Sequence, residues 1–288
     1  MICLQMEGTQ HPTVPASLAE LYALLFHNVK THFPQAKLSR FFPLQGEYYN
    51  EFIQLSKTTS NKLMSPLSDN DFLNQYTEPA TRLMLVGRSV NGWTELTEQS
   101  AEEFSKSAIQ TMLAPGFSWL RNDGCGTETY VRQDGTEARY NINKSSFFRC
   151  TRKILQKMKP VTATTDRWFE HMVWSNLYLI APLHAGNAEG KLQDIQLDTC
   201  KKLLCEQIRV YAPTHILFIT DWEYWFDRFT DIFPAVNKTG NSATDNVVGF
   251  GSYNNAKVVV SVRPDRTRPN RPNEDQFVDD IVRCFAGI

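Results

Sequence analysis

Four short apolar runs punctuate the chain: Leu83-Met-Leu-Val86, Met172–Ile180, Ile216-Leu-Phe-Ile219 and Lys257-Val-Val-Val-Ser-Val262. Each has the length of a strand, and near-continuous hydrophobicity rather than strict alternation is the pattern of strands buried on both faces. Between and after these runs, apolar positions recur at helical spacing. The spacing predicts helices over Glu95–Met112, Lys144–Met158, Asp194–Tyr211, Trp222–Ile232 and Asn273–Phe285. Strands alternating with helices imply a parallel sheet with helices on both sides.

The N-terminal third follows a different pattern. Ser17 and Glu20 form a capping-box spacing after Pro15 and open a helix through Leu21, Leu24, Leu25 and Val29, which Pro34 should end. Residues 35 to 80 combine a short helix near Tyr48–Leu55 with polar loop, and no Gly- or Ser-rich linker marks a boundary. The expected division is a helical extension over residues 1–80 packed on a main domain over 81–288. A Gly-containing segment from Pro115 to Asn143 reads as an insertion, with a hairpin of Glu128–Val131 and Ala138–Ile142 around Asp134-Gly135.

Composition adds limits rather than identity. The chain has 288 residues, 42% hydrophobic, 12% aromatic and 21% charged, which suits a packed α/β core and excludes wholesale disorder. A formal charge of −1 and a pI near 6.6 leave no global positive field, so binding to a polyanion would need a local basic patch. Arg263–Pro272 supplies one, with Arg263, Arg266, Arg268 and Arg271 interleaved with prolines. The first residues carry no basic segment ahead of a long apolar run, and no stretch approaches membrane-spanning length, so the cytoplasm is the expected location. The six cysteines include no Cys-x-x-Cys pair and read as free thiols, and no metal or organic cofactor is expected.

In an open parallel sheet, ligands bind beyond the carboxyl ends of the strands, so the segments that follow the strands carry the candidate chemistry. After the first strand comes Gly87-Arg88-Ser89-Val90-Asn91-Gly92-Trp93, which lacks the Gly-Lys-Ser/Thr ending of a phosphate loop. It is either a pocket wall or a tight strand-to-helix turn. On the second strand, Asn176 places a carboxamide in an apolar setting, where it reads a pyrimidine's carbonyl-and-imide edge or bonds a neighbouring loop. His184 follows on the same segment. After the third strand, Thr220 and Asp221 are placed to cap the next helix, with Trp222, Tyr224 and Trp225 packing under it. The fourth strand delivers the arginine-rich loop, either a phosphate clamp or a solvated charged segment. No Gly-x-Ser-x-Gly elbow, His-Glu-x-x-His helix or Gly-x-Gly-x-x-Gly turn is present.

Taken in order, these segments resemble the uracil-DNA glycosylase superfamily over about residues 80 to 285. Leu-Met-Leu-Val-Gly87-Arg-Ser-Val-Asn-Gly-Trp93 is similar to the family's water-activating motif, and Val173-Trp-Ser-Asn176-Leu-Tyr to its uracil-reading strand. Pro213 before Thr-His-Ile-Leu-Phe-Ile resembles the entry to its next strand, and Val262-Arg263-Pro264 its last motif. The resemblance implies a three-layer α/β/α fold with a central four-stranded, mainly parallel sheet. It departs from the family at Ser89 and Arg88, which stand where water-activating Asp, Asn or Glu is expected, and at Arg263, which replaces a His.

The resemblance implies a monomeric base-flipping N-glycosylase acting on single- or double-stranded DNA, away from membranes. Asn176 would pair with the flipped base in a pocket that includes Gly87 and Ser89. Trp93 would stack or gate, Asn91 would position water, and Arg263 would stabilise the leaving anion. Arg266, Arg268 and Arg271 would hold phosphates. The rivals are a noncatalytic nucleobase, nucleotide or single-stranded DNA binder on the same fold, and an interaction protein whose N-terminal segment covers the pocket.

Overall fold

Runs such as Ile216-Leu-Phe-Ile219 offer water no polar face, and every side chain in that run is buried. The computed structural model describes residues 18–45, 82–89, 94–112, 129–131, 137–139, 145–158, 168–183, 186–239, 246–264 and 273–288. In chain order they form α1 (Leu18–His32), β1 (Leu38–Arg40), β2 (Leu44–Gln45), β3 (Leu83–Ser89), β4 (Thr94–Glu95) and α2 (Ala101–Met112). Next come β5 (Thr129–Val131), β6 (Glu137–Arg139), α3 (Ser146–Met158), β7 (Met172–Tyr178), β8 (Ile180–Pro182) and α4 (Lys191–Tyr211). The chain finishes with β9 (His215–Ile219), a 3-10 helix (Phe226–Ile232), β10 (Val236–Lys238), β11 (Val247–Tyr253), β12 (Ala256–Ser261) and α5 (Glu274–Gly287).

The fold is mixed α/β. Among the described residues its main sheet has seven strands in the order β10-β11-β12-β9-β3-β7-β2. The four apolar runs are its adjacent parallel centre: β12 with β9, β9 with β3, and β3 with β7. The sheet is wider than the four strands expected, because β10, β11 and β2 extend it with antiparallel pairings. These additions gave little sequence signal. β2 and β10 are two and three residues long, and β11 (Val-Val-Gly-Phe-Gly-Ser-Tyr) carries two glycines that read as turn. Residues 38–45, expected as loop, are largely strand, with β1 lying between β4 and β8 in a separate sheet. The β5–β6 pairing matches the expected hairpin. The expected helix near Tyr48–Leu55 lies outside the described residues.

Consecutive residues of β7 meet different helices, since neighbours along a strand point to opposite faces. Ser175 Oγ donates to Gln207 Oε1 of α4 at 2.7 Å, and Gln207 Nε2 donates to Tyr22 Oη of α1 at 3.2 Å. Tyr22 in turn donates to Met112 Sδ of α2 at 3.1 Å, so one buried polar chain joins three helices to the sheet. Burial pushes the Tyr22 phenol far above its ordinary value, which keeps it a neutral donor. On the other face, Trp174 meets Phe148 of α3, with ring centroids 5.1 Å apart. α3 and α5 are laced by Arg149 with Glu274, Lys153 with Asp275, and Lys157 with Asp279.

Helix ends follow local chemistry. α2 starts six residues later than expected, where Ser100 Oγ accepts from Glu103 N and Glu103 Oε2 accepts from Gln99 N. This is a capping-box spacing, and the upstream Thr94-Glu95 is drawn into β4 instead. Asn273 Oδ1 accepts from Asp275 N and opens α5.

His215, at the start of β9, packs edge-on against Phe285 of α5 at 5.0 Å and lies 2.9 Å from Thr214 Oγ1 through Nδ1. Burial, and then the nearby Lys257 charge, lower its pKa from 6.5 to about 4. Between those values the unfolded chain binds a proton that the folded chain does not, so stability is full above pH 6.5 and falls as pH drops towards 4. Solvent screening at this half-buried site reduces the expected loss to about 2 kcal/mol. Urea unfolding of the wild type and His215→Phe at pH 7 and pH 4.5 checks this. The variant should lose less stability than the wild type over that interval, and equal losses would contradict the assignment.

Candidate functional site

The carboxyl ends of β3 and β7 lie side by side, with Gly87 paired to Asn176. A Cβ at Gly87 would sit 2.4 Å from Asn176 Oδ1, far inside contact distance, so the missing side chain is what lets the carboxamide lie over β3. Asn176 is 4% exposed, and its Nδ2 is buried with no hydrogen-bond partner among the described residues. An amide donor in such a position carries a desolvation cost of about 1–3 kcal/mol, which a ligand acceptor would remove. Trp174, two residues earlier on β7, brings its Nε1 within 3.7 Å of the same virtual Cβ. Phe41, Phe147 and Phe148 surround the Trp174 ring at 4.6, 5.8 and 5.1 Å. The surroundings are therefore apolar and aromatic around one amide.

Arg88 follows Gly87 but belongs to a different cluster, as strand alternation requires. Its Nε donates to Thr220 O at 2.8 Å, its Nη2 is ion-paired with Asp221, and its guanidinium lies 5.0 Å from the Trp225 ring centroid. Asp221 Oδ1 also accepts from Arg263 N at 3.3 Å. Asp221 is thus a cross-link between β3, the end of β9 and the end of β12, and not the expected helix cap. Thr220 does not cap either: its Oγ1 donates to Asp221 O, and the helix that follows is a 3-10 helix beginning only at Phe226, without a side-chain cap. Between them, Asp221 and Tyr224 both have φ of 66°, a left-handed conformation that costs a non-glycine residue energy. Ser89 Oγ accepts from Ala188 N at 2.9 Å and so ties the end of β3 to the segment before α4.

The structure therefore brings Gly87 and Asn176 together and sets Arg88 and the Arg263 backbone beside Asp221. Asn91, Trp93, His184, Arg266, Arg268 and Arg271 lie outside the described residues. The aromatic residues after β9, expected to pack under a helix, instead line a pocket of about 340 Å³ with Arg88, Asp221 and Val262, among others. The run Asp221-Trp-Glu-Tyr-Trp225, one residue beyond β9, was its signal.

No family model matches the sequence, and no curated protein matches it. Among the described residues, no helix is long and apolar enough to cross a membrane.

Proposed function

We propose that the chain recognises a flipped uracil or related base in DNA through Asn176, on a three-layer fold of the uracil-DNA glycosylase type. The observation that carries this reading is the buried Asn176 carboxamide, with Oδ1 over Gly87 and Nδ2 lacking a partner among the described residues. Its position at the carboxyl end of adjacent parallel strands is where an open sheet takes its ligands. An amide offers one acceptor and two donors, which complement the imide N–H and adjoining carbonyl of uracil. The aromatic surroundings of Trp174 suit a desolvated planar ring.

In this reading Asn91 positions the attacking water, Trp93 gates the pocket, and Arg263 stabilises the departing anion. Arg266, Arg268 and Arg271 hold the DNA phosphates and offset the few kcal/mol needed to extrude a base. A second reading, base binding without cleavage, is favoured by the pairing of Arg88 with Asp221 and by the bond from Ala188 N to Ser89 Oγ. Both positions where a water activator is expected are engaged in structural contacts.

The test is to incubate purified protein with oligonucleotides containing uracil, hypoxanthine or alkylated bases, measuring abasic sites and binding in parallel. Asn176→Asp turns two amide donors into acceptors, so uracil-dependent affinity should fall about 10- to 100-fold. Unchanged affinity and base preference in that variant would remove Asn176 from the site. Uracil-dependent binding without abasic sites would establish the second reading.

A further inference from the structure

The pocket beside Asp221 faces away from Asn176, yet the two share an edge. Gly87 and Arg88 are consecutive on β3, the first under the Asn176 carboxamide and the second lining the pocket. One wall is Trp222, whose ring lies against Gly249 so closely that a Cβ there would be 2.3 Å from Cζ3. Trp222 is also backed by Phe226, with centroids 5.1 Å apart. Another wall is Trp225, supported by the Tyr178 ring at 6.1 Å and by the Arg88 guanidinium. Tyr224 stands between them, 81% exposed.

This turn is closed by its own hydrogen bonds. Asp227 Oδ2 accepts from Tyr224 N at 3.1 Å, and Trp222 O accepts from Asp227 N at 3.0 Å. A tyrosine held in left-handed backbone geometry, with its ring given to solvent, gains nothing for the fold from that exposure. The Arg88–Asp221 ion pair gives this aromatic pocket one polar edge. A pocket of about 340 Å³ is at the small end of ligand sites, suited to a single planar heterocycle. Val262, another wall of the pocket, is followed by Arg263, whose N donates to Asp221, so a cationic residue directly follows the pocket wall and is a positive complement to a phosphodiester chain.

We infer that this pocket is a second nucleobase subsite, stacking on Tyr224 a base of the same single strand whose flipped base reaches Asn176. The inference rests on the proposed function for the Asn176 site and adds a single-strand preference to it. Base–aromatic stacking tolerates any base sequence, so the subsite contributes affinity for the strand while Asn176 contributes base choice.

The test uses the full chain and tryptophan fluorescence, with a uracil-containing single-stranded oligonucleotide, the corresponding duplex, and uridine monophosphate as probes. Tyr224→Gly removes the ring and relaxes the φ of 66°, so the melting temperature should not fall. Affinity for the single strand should fall about tenfold, the size of one stacked base, with uracil preference retained. Unchanged single-strand affinity in Tyr224→Gly would overturn the subsite even if Asn176→Asp behaves as expected. A loss in Tyr224→Gly alongside an indifferent Asn176→Asp would keep the subsite and refute the reading of Asn176. Uridine monophosphate binding as tightly as the oligonucleotide, and weakened equally by Tyr224→Gly, would overturn the strand as occupant.

Discussion

Gly87→Ala should leave the protein folded and strip it of most of its uracil-dependent affinity. The added Cβ would meet Asn176 Oδ1 at 2.4 Å, and the next atoms, Asn176 Cγ and Trp174 Nε1, lie at 3.6 and 3.7 Å. Among the described residues the only severe overlap is with the far end of a side chain, so the carboxamide can swing away while the parallel pairing of β3 with β7 persists. The stability cost should stay at the low end of core overpacking, about 1–2 kcal/mol. The functional cost is larger, because the amide leaves the one orientation in which it could read a base. Affinity for a uracil-containing strand should fall about 100-fold, the loss of a buried, well-placed pair of hydrogen bonds. A double-mutant cycle with Asn176→Ala sharpens the test: removing the carboxamide should return most of the stability lost in Gly87→Ala, a coupling expected only of residues in contact. Wild-type affinity in Gly87→Ala would show that the Asn176 amide is not the reading group.

Gly87 and Asn176 were both legible in the sequence, but their contact was not, since it arises from a strand register between residues 89 positions apart. The same limit explains Arg88. As a departure from a family motif it looked like a missing catalytic group, whereas its partner Asp221 arrives from β9 and cannot be inferred from neighbouring residues. The four parallel strands were readable because burial on both faces leaves an unbroken apolar run, as in Val258–Val260. β11 was not, because only Val247 and Gly249 are buried in it, the rest being half-buried or exposed, and Gly249 and Gly251 interrupt the run. Those glycines serve tertiary contacts, under Trp222 and against the Ala235 carbonyl respectively. The stretch Trp222–Ile232 has helical apolar spacing, yet its first four residues form the strained turn of the aromatic pocket. Hydrophobic spacing alone could not separate the two, because Trp222 and Phe226 pack together as they would on one helical face.

The largest stability loss is expected from Gly251→Ala. Its Cβ would fall 2.0 Å from Ala235 O and 2.8 Å from Val236 Cα, and backbone, unlike the Asn176 side chain, cannot rotate aside. Relief requires β10 to separate from β11 at the Val236–Gly251 pair. The cost should be about 3 kcal/mol, at the upper end of ordinary overpacking. In urea this should appear as a lower midpoint with an unchanged slope, since the surface exposed on unfolding is nearly the same. The consequence for function is selective. β11 also carries Gly249, against which Trp222 is seated, so distortion there loosens the wall of the aromatic pocket while β3 and β7 stand on the far side of β12 and β9. Single-strand affinity should therefore weaken while the ratio of uracil to thymine binding is preserved. A wild-type midpoint would mean that β10 and β11 have room the structure denies them, and a lost uracil preference would mean that the two pockets are not independent.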